Sequence, residues 1–137
     1  MESVKKVVVV GVDNSKESLY SLEWTLDHLL SPGDSEYPFK LVLVHVKIPA
    51  LSVLKFAGPG VGDVLPLVEA DLKKTAAVTV EKAKELCQKR SVSDFDVEVS
   101  EGDARNILCE AVEKHHADML VVGSHGYGAF KRYPNFS

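Results

Sequence analysis

The run from Val4 to Val12, with Val7, Val8, Val9 and Val10 at its centre, restricts the fold more than any other stretch of the chain. β-Branched side chains are stiff in a helix and pack well on a pleated surface, so such a run selects a strand. A strand with one wet face alternates apolar and polar residues. This one does not alternate, so both of its faces must be covered, as in the middle of a parallel sheet. Lys40 to Val46, reading K-L-V-L-V-H-V, is a second strand of the same type. Between the two, Asp13, Asn14 and Ser15 offer helix-capping oxygens. Leu19, Leu22, Leu26, Leu29 and Leu30 then recur at helical spacing until Ser31-Pro32-Gly33 stops the helix. The first third is therefore a βαβ unit, with a right-handed crossover expected.

From Lys47 to Pro66 the periodicity is lost and Pro49, Gly58, Pro59, Gly60, Gly62 and Pro66 accumulate, which predicts a long loop of the kind that often carries function. A helix follows with Leu72, Ala76, Val80, Ala83 and Cys87 on one stripe. Phe95, Val97 and Val99 alternate with Asp96, Glu98 and Ser100, the pattern of an edge strand with one exposed face. Gly102 and Asp103 turn the chain into a third helix capped by Asp103, whose apolar stripe is Ala104, Ile107, Leu108, Ala111, Val112 and His115. Met119 to Val122 reads as another buried strand. Gly123-Ser124-His125-Gly126-Tyr127-Gly128 follows at once and opens a fourth helix, which Pro134 ends. Strands alternating with helices in this order make one α/β domain.

A chain of 137 residues with 45% hydrophobic side chains can bury a core without disulfides or structural metals. Its 20 acidic against 16 basic residues leave a net charge of −4, which excludes a general nucleic-acid binder, since that needs a basic face. No apolar run approaches the ~20 residues that span a bilayer. The opening Met1-Glu2-Ser3-Val4-Lys5-Lys6 lacks the pattern of a signal peptide. A cytoplasmic protein with no membrane partner is expected. Cys87 and Cys109 form no C-x-x-C pair and read as two small buried hydrophobes.

In an open parallel sheet, ligands bind beyond the carboxyl ends of the strands where the winding reverses. Two strand ends carry unusual residues: Gly11-Val12-Asp13, and the glycine cluster that starts at Gly123. If these strands are neighbours, both ends face one crevice. A glycine-rich turn entering a helix presents backbone N–H groups and a positive dipole end, which suit a phosphate. Yet G-S-H-G-Y-G is neither G-x-G-x-x-G nor a P-loop, and its glycines could serve a tight turn. Asp13 could equally cap the following helix. His45 reads as a core histidine near a strand end, His125 as a phosphate contact or an exposed loop residue. His115 and His116 are adjacent on a helix, so their side chains diverge and chelate no common metal. With no second carboxylate near Asp13 and no nucleophile–base order, the sequence offers a pocket rather than a catalytic apparatus.

These residues resemble a family. Val7 to Val12 with Asp13-Asn14-Ser15, the strand ending His45-Val46, Gly102-Asp103 before a helix, and Ala117 to Gly126 together look like a universal stress protein domain of the plant single-domain type. The resemblance runs over residues 1–132, and Tyr133 to Ser137 reads as an atypical tail, as of a truncated or alternatively spliced form. It implies a three-layer α/β/α sandwich with a parallel sheet of order 3-2-1-4-5. It also implies an adenine-nucleotide ligand, ATP or AMP, with Mg2+ a candidate companion, and a homodimer. By match to motif positions, Val12 and Asp13 would meet the adenine and Val46 would line its pocket. Gly123, Ser124, His125 and Gly126 would follow the ribose and phosphates. At most a slow ATPase is implied, with Lys131 and Arg132 the nearby cations.

The chain also departs from the family. The nucleotide motif runs Gly, two residues, Gly, nine residues, then Gly followed by Ser or Thr; Gly123 and Gly126 fit, but the next motif position falls on Phe136 and Ser137 follows. The second half of the phosphate loop and the fifth strand find no counterpart, so ATP is expected to lose more affinity than AMP, and the fourth strand is expected to be an open edge that favours self-association. A structural or interaction module that binds partners or itself without nucleotide is the alternative function.

Overall fold

Covering both faces of the valine strand requires helices on either side, and the chain supplies them in two groups. The computed structural model describes residues 6–30, 39–55 and 64–123. Their elements are β1 (Lys6–Gly11), α1 (Lys16–Leu29), β2 (Phe39–Lys47), α2 (Ala50–Lys55), α3 (Leu65–Lys89), β3 (Phe95–Glu101), α4 (Ala104–Lys114) and β4 (Met119–Val121). The strands form one parallel sheet in the order β3-β2-β1-β4. Val9 lies beside Val42 of β2 and Val10 beside Val121 of β4, so β1 is paired on both edges. The winding reverses between β1 and β4, as the resemblance required.

Successive strand residues point to opposite faces, so an unbroken valine run feeds two cores. Val8, Val10, Val12, Leu41 and Leu43 pack with Leu22 and Leu26 of α1 and Ala83 and Cys87 of α3. On the other face Val9, Val42 and Val44 pack with Ala111 of α4, alongside the half-buried Ile107, Leu108 and Val112. The result is three layers, helix, sheet and helix. Local chemistry sets the helix starts: Ser15 Oγ accepts the Ser18 N–H at 3.1 Å, and the Asp103 carboxylate accepts the Asn106 N–H at 3.1 Å.

Several sequence expectations are corrected. The stretch from Lys47 to Pro66 is not loop throughout, because α2 occupies Ala50–Lys55 and α3 already starts at Leu65. Pro66 sits in the first turn of α3, where a missing N–H costs nothing. The alternation in β3 breaks: Glu98 is half-buried under the end of α4, while Val99 is 46% exposed. His115 does not belong to the apolar stripe of α4; it is the residue that ends the helix, and its Nε2–H donates to Glu98 Oε2 at 2.6 Å. β4 is less buried than its composition suggests, with Met119 39% exposed, because among the described residues it pairs with β1 alone. Cys87 is buried but Cys109 is exposed, since it faces away from the stripe that docks α4 on the sheet. The tail from Tyr133 and the helix expected to follow the glycine cluster lie outside the described residues.

Candidate functional site

Parallel pairing of β1 with β4 brings the two unusual strand ends together. Because Val10 stands beside Val121, the next residues, Gly11, Val12 and Asp13, run level with Val122 and Gly123. These residues enclose a hollow of about 210 Å³. Gly11 contributes from the end of β1, Val12 and Asp13 from just beyond it, Val44 and Val46 from β2, Leu108 from α4, and Val122 and Gly123 from beyond β4. Its walls are mainly hydrocarbon, and Asp13 is the acidic group at its rim.

Hydrogen bonds hold the backbone of this corner from Gly11 to Ser15 at several points. Val12 N–H donates to Val44 O at 2.8 Å, the last rung of the β1–β2 ladder. His45 is a buried core histidine near the strand end, as its position suggested, with Nδ1 at 2.9 Å from Val12 O. Asp13 N–H donates to Ser18 Oγ at 2.7 Å, and Asp13 Oδ1 accepts the Ser15 N–H, also at 2.7 Å. Asp13 therefore does not cap α1. Ser15 does that, and Asp13 closes the short turn ahead of it, which leaves its carboxylate exposed beside the hollow.

Gly123 is placed by a close backbone contact. A Cβ on it would collide with the Glu17 carbonyl group and lie 2.8 Å from Ser18 Cα, so only glycine lets the end of β4 rest on the first turn of α1. At Gly11 a Cβ would enter the hollow, 3.2 Å from Leu108 Cδ2 and 3.3 Å from Val122 Cγ1. Of the expected site residues, Val12, Asp13, Val46 and Gly123 are brought to this one place. Ser124, His125 and Gly126 lie outside the described residues.

Sequence reasoning missed Val44, Leu108 and Ser18. Val44 was legible, since period two puts it on the same face as Val46. Leu108 looked like core, and in sequence Ser18 looks like any polar residue in a first helical turn.

Larger concavities flank the hollow: one of about 490 Å³ lies between α1 and the end of β4, among Tyr20, Ser21, Trp24, Val122 and Gly123. Another of about 730 Å³ lies between α1 and α3, among Lys16, Lys82, Lys89, Glu23 and Glu85, whose long side chains can reshape it by rotation. The strand-end hollow is smaller and walled by the strand ends together with the first turn of α1 and the face of α4. Cysteine chemistry has no foothold in the core: burial pushes the Cys87 thiol up to about 11, so it stays protonated at neutral pH. Among the described residues no three His, Cys, Asp or Glu side chains converge as a metal site. No helix among them is long and apolar enough to cross a membrane.

Comparison with known proteins agrees with this architecture. A family model described as the universal stress protein family matches residues 5–134. The chain is similar to universal stress protein PHOS32 of Arabidopsis thaliana, at 26% identity over 136 residues covering 93% of this chain and 54% of that protein. It spans about half the length of the curated relatives it matches. Among solved structures it is similar to a universal stress protein family protein from Arabidopsis thaliana with AMP bound, at 24% identity and a TM-score of 0.62, covering 93% of this chain and 81% of that one. It is also similar to a universal stress protein in complex with cAMP, at 18% identity and a TM-score of 0.54, covering 86% and 71%. At these identities the solved structures attest the fold.

Proposed function

The chain belongs to the universal stress protein family, and from that premise we propose that it binds an adenine nucleotide, AMP or ATP, in the hollow between the ends of β1 and β4. The observation that carries the reading is the convergence of Val12, Asp13, Val46 and Gly123 on one apolar hollow at the reversal of winding. Small-molecule clefts measure roughly 300–1,000 Å³, so a hollow of about 210 Å³ is too small for a whole nucleotide and suits a base. Adenine would lie against Val44, Val46, Leu108 and Val122, with Asp13 within reach of its polar edge. The ribose and phosphates would leave past Gly123, and Ser124, His125 and Gly126 are the residues proposed to follow them. AMP and cAMP, the ligands of the two similar structures, share the adenosine part that this geometry suits.

Isothermal titration with AMP and ATP tests the proposal. Saturable heat with AMP, weakened at least about tenfold but still measurable in Asp13→Ala, is the expected result, and no heat with either at millimolar nucleotide ends the reading. AMP is expected to bind at least as well as ATP, and titration with and without Mg2+ decides whether the cation takes part. A domain spanning residues 1–132 in the cytoplasm completes the reading, and cell fractionation checks its location.

A second reading, an interaction module acting through self-association or partner binding, is favoured by the outer face of α1. Tyr20 is 67% exposed there and Trp24 stands one turn further on, stacked on His28. Exposed Tyr and Trp are enriched at protein interfaces. Sedimentation of the intact protein separates monomer from homodimer, and a partner retained by Asp13→Ala would favour this reading over the first.

A further inference from the structure

Ser18 of α1, 2% exposed, and His45 of β2, 5% exposed, are buried polar side chains in a corner otherwise built of hydrocarbon and backbone. Burying a hydroxyl or an imidazole is unfavourable unless its hydrogen bonds are made, so what these two hold is informative. They hold the same peptide group. Its oxygen, the Val12 carbonyl, accepts from His45 Nδ1 at 2.9 Å, and its nitrogen, the Asp13 amide, donates to Ser18 Oγ at 2.7 Å. The Ser18 hydroxyl in turn points to Gly11 O at 3.4 Å. Because the acceptor is a carbonyl, the imidazole bond requires hydrogen on Nδ1. Buried Thr25, by contrast, bonds only back within its own helix, to Ser21 O at 2.8 Å.

We propose that Ser18 and His45 are positioning residues of the strand-end site: a clamp from two elements that fixes the rotation of the Val12–Asp13 peptide plane. That rotation sets the direction in which the Asp13 side chain leaves the backbone. Val12 N–H makes the last backbone bond of the β1–β2 ladder, to Val44 O, and among the described residues the next peptide is held by side chains instead. The clamp orients that peptide, and the bond from Ser15 N–H to Asp13 Oδ1 then settles the carboxylate at the rim of the hollow. What the clamp serves rests on the nucleotide reading; that it exists does not.

Isothermal titration with AMP on the full chain, with a thermal melt of each variant, measures the first part. Ser18→Ala and His45→Leu are each expected to weaken AMP binding about tenfold. His45→Asn, whose side-chain amide nitrogen can take the place of Nδ1, is expected to restore affinity to within about threefold of the unaltered protein. In the Ser18→Ala, Asp13→Ala double variant the loss should equal that of Asp13→Ala alone, because Ser18 acts through Asp13. A purely structural role would show neither the rescue nor the non-additivity, so His45→Asn binding as poorly as His45→Leu, or fully additive losses, overturns the proposal.

Amide hydrogen exchange at Asp13 in the nucleotide-free protein measures the second part. Slow exchange that speeds up at least about tenfold in Ser18→Ala supports the clamp; free exchange in the unaltered protein overturns it. A protected Asp13 amide together with no heat from AMP or ATP supports the clamp while ending the nucleotide reading.

Discussion

Gly11 and Gly123 are both glycines at strand ends, yet the space around them assigns them opposite consequences. A methyl group at Gly123 runs into backbone, the Glu17 carbonyl and Ser18 Cα, and backbone of a helix's first turn cannot rotate away. Gly123→Ala should therefore destabilise the fold by about 1–3 kcal/mol, read as a lower urea midpoint. A methyl group at Gly11 meets only the ends of Leu108 and Val122, which can yield by a few tenths of an ångström. Gly11→Ala should leave the urea midpoint nearly unchanged while weakening AMP binding several-fold, since the methyl group occupies the hollow. Equal losses of stability in the two variants would contradict this assignment. Neither difference is visible in the sequence, where Gly11 only ends a strand and Gly123 only opens a glycine cluster that suits a phosphate or a tight turn. Asp13 and Ser15 show the same limit: the oxygens that could cap α1 were legible, but only the tertiary structure divides the work, giving Ser15 the cap and Asp13 the turn before it.

At the scale of elements, the tie between α4 and β3 decides where residue patterns mislead. Glu98 occupies a position that alternation assigns to solvent, and His115 one that helical spacing assigns to the core. Together they form a charge-assisted contact, with Lys114 Nζ adding a second bond to Glu98 Oε2 at 3.1 Å. Burial works to raise the Glu98 carboxyl, but the bonds and charges of His115 and Lys114 outweigh it and hold the group below the usual glutamate range. A carboxyl depressed in the folded state contributes stability above its unfolded value of about 4.3, and that contribution is lost as pH falls through the lowered folded value. Glu98→Gln should cost about 1–2 kcal/mol at neutral pH, and its deficit against the unaltered protein should shrink below about pH 4. Unfolding curves at pH 7 and in that acid range measure it, and a deficit that does not change with pH would refute it. The helices behave more simply. Their spacing and the cap at Asp103 follow from a few neighbouring residues, which is why α1 and α4 were legible.

For the whole molecule, the two-sided core and the strand-end hollow are one construction, because the central strand that buries Val8, Val9 and Val10 also delivers Gly11 to Asp13 to the winding reversal. A ligand seated there binds only the folded sheet, since unfolding separates β1, β2 and β4. AMP at about a hundredfold excess over its dissociation constant should therefore add about 2.7 kcal/mol of stability. A thermal midpoint that rises with the logarithm of AMP concentration is the expected result, and a flat one would count against binding in the hollow.

The sequence by itself determined that β1 and β2 are buried on both faces, that helices alternate with them, and that Asp13 and Gly123 stand at strand ends. Those properties depend on side-chain shape and on spacing over a few residues. Tertiary structure alone decided that Val10 lies beside Val121, that Glu17 meets Gly123, and that His45 reaches a carbonyl 33 residues away. Such meetings are set by strand order and register, which arise from the packing of the entire sheet and leave no periodic trace in the residues that meet.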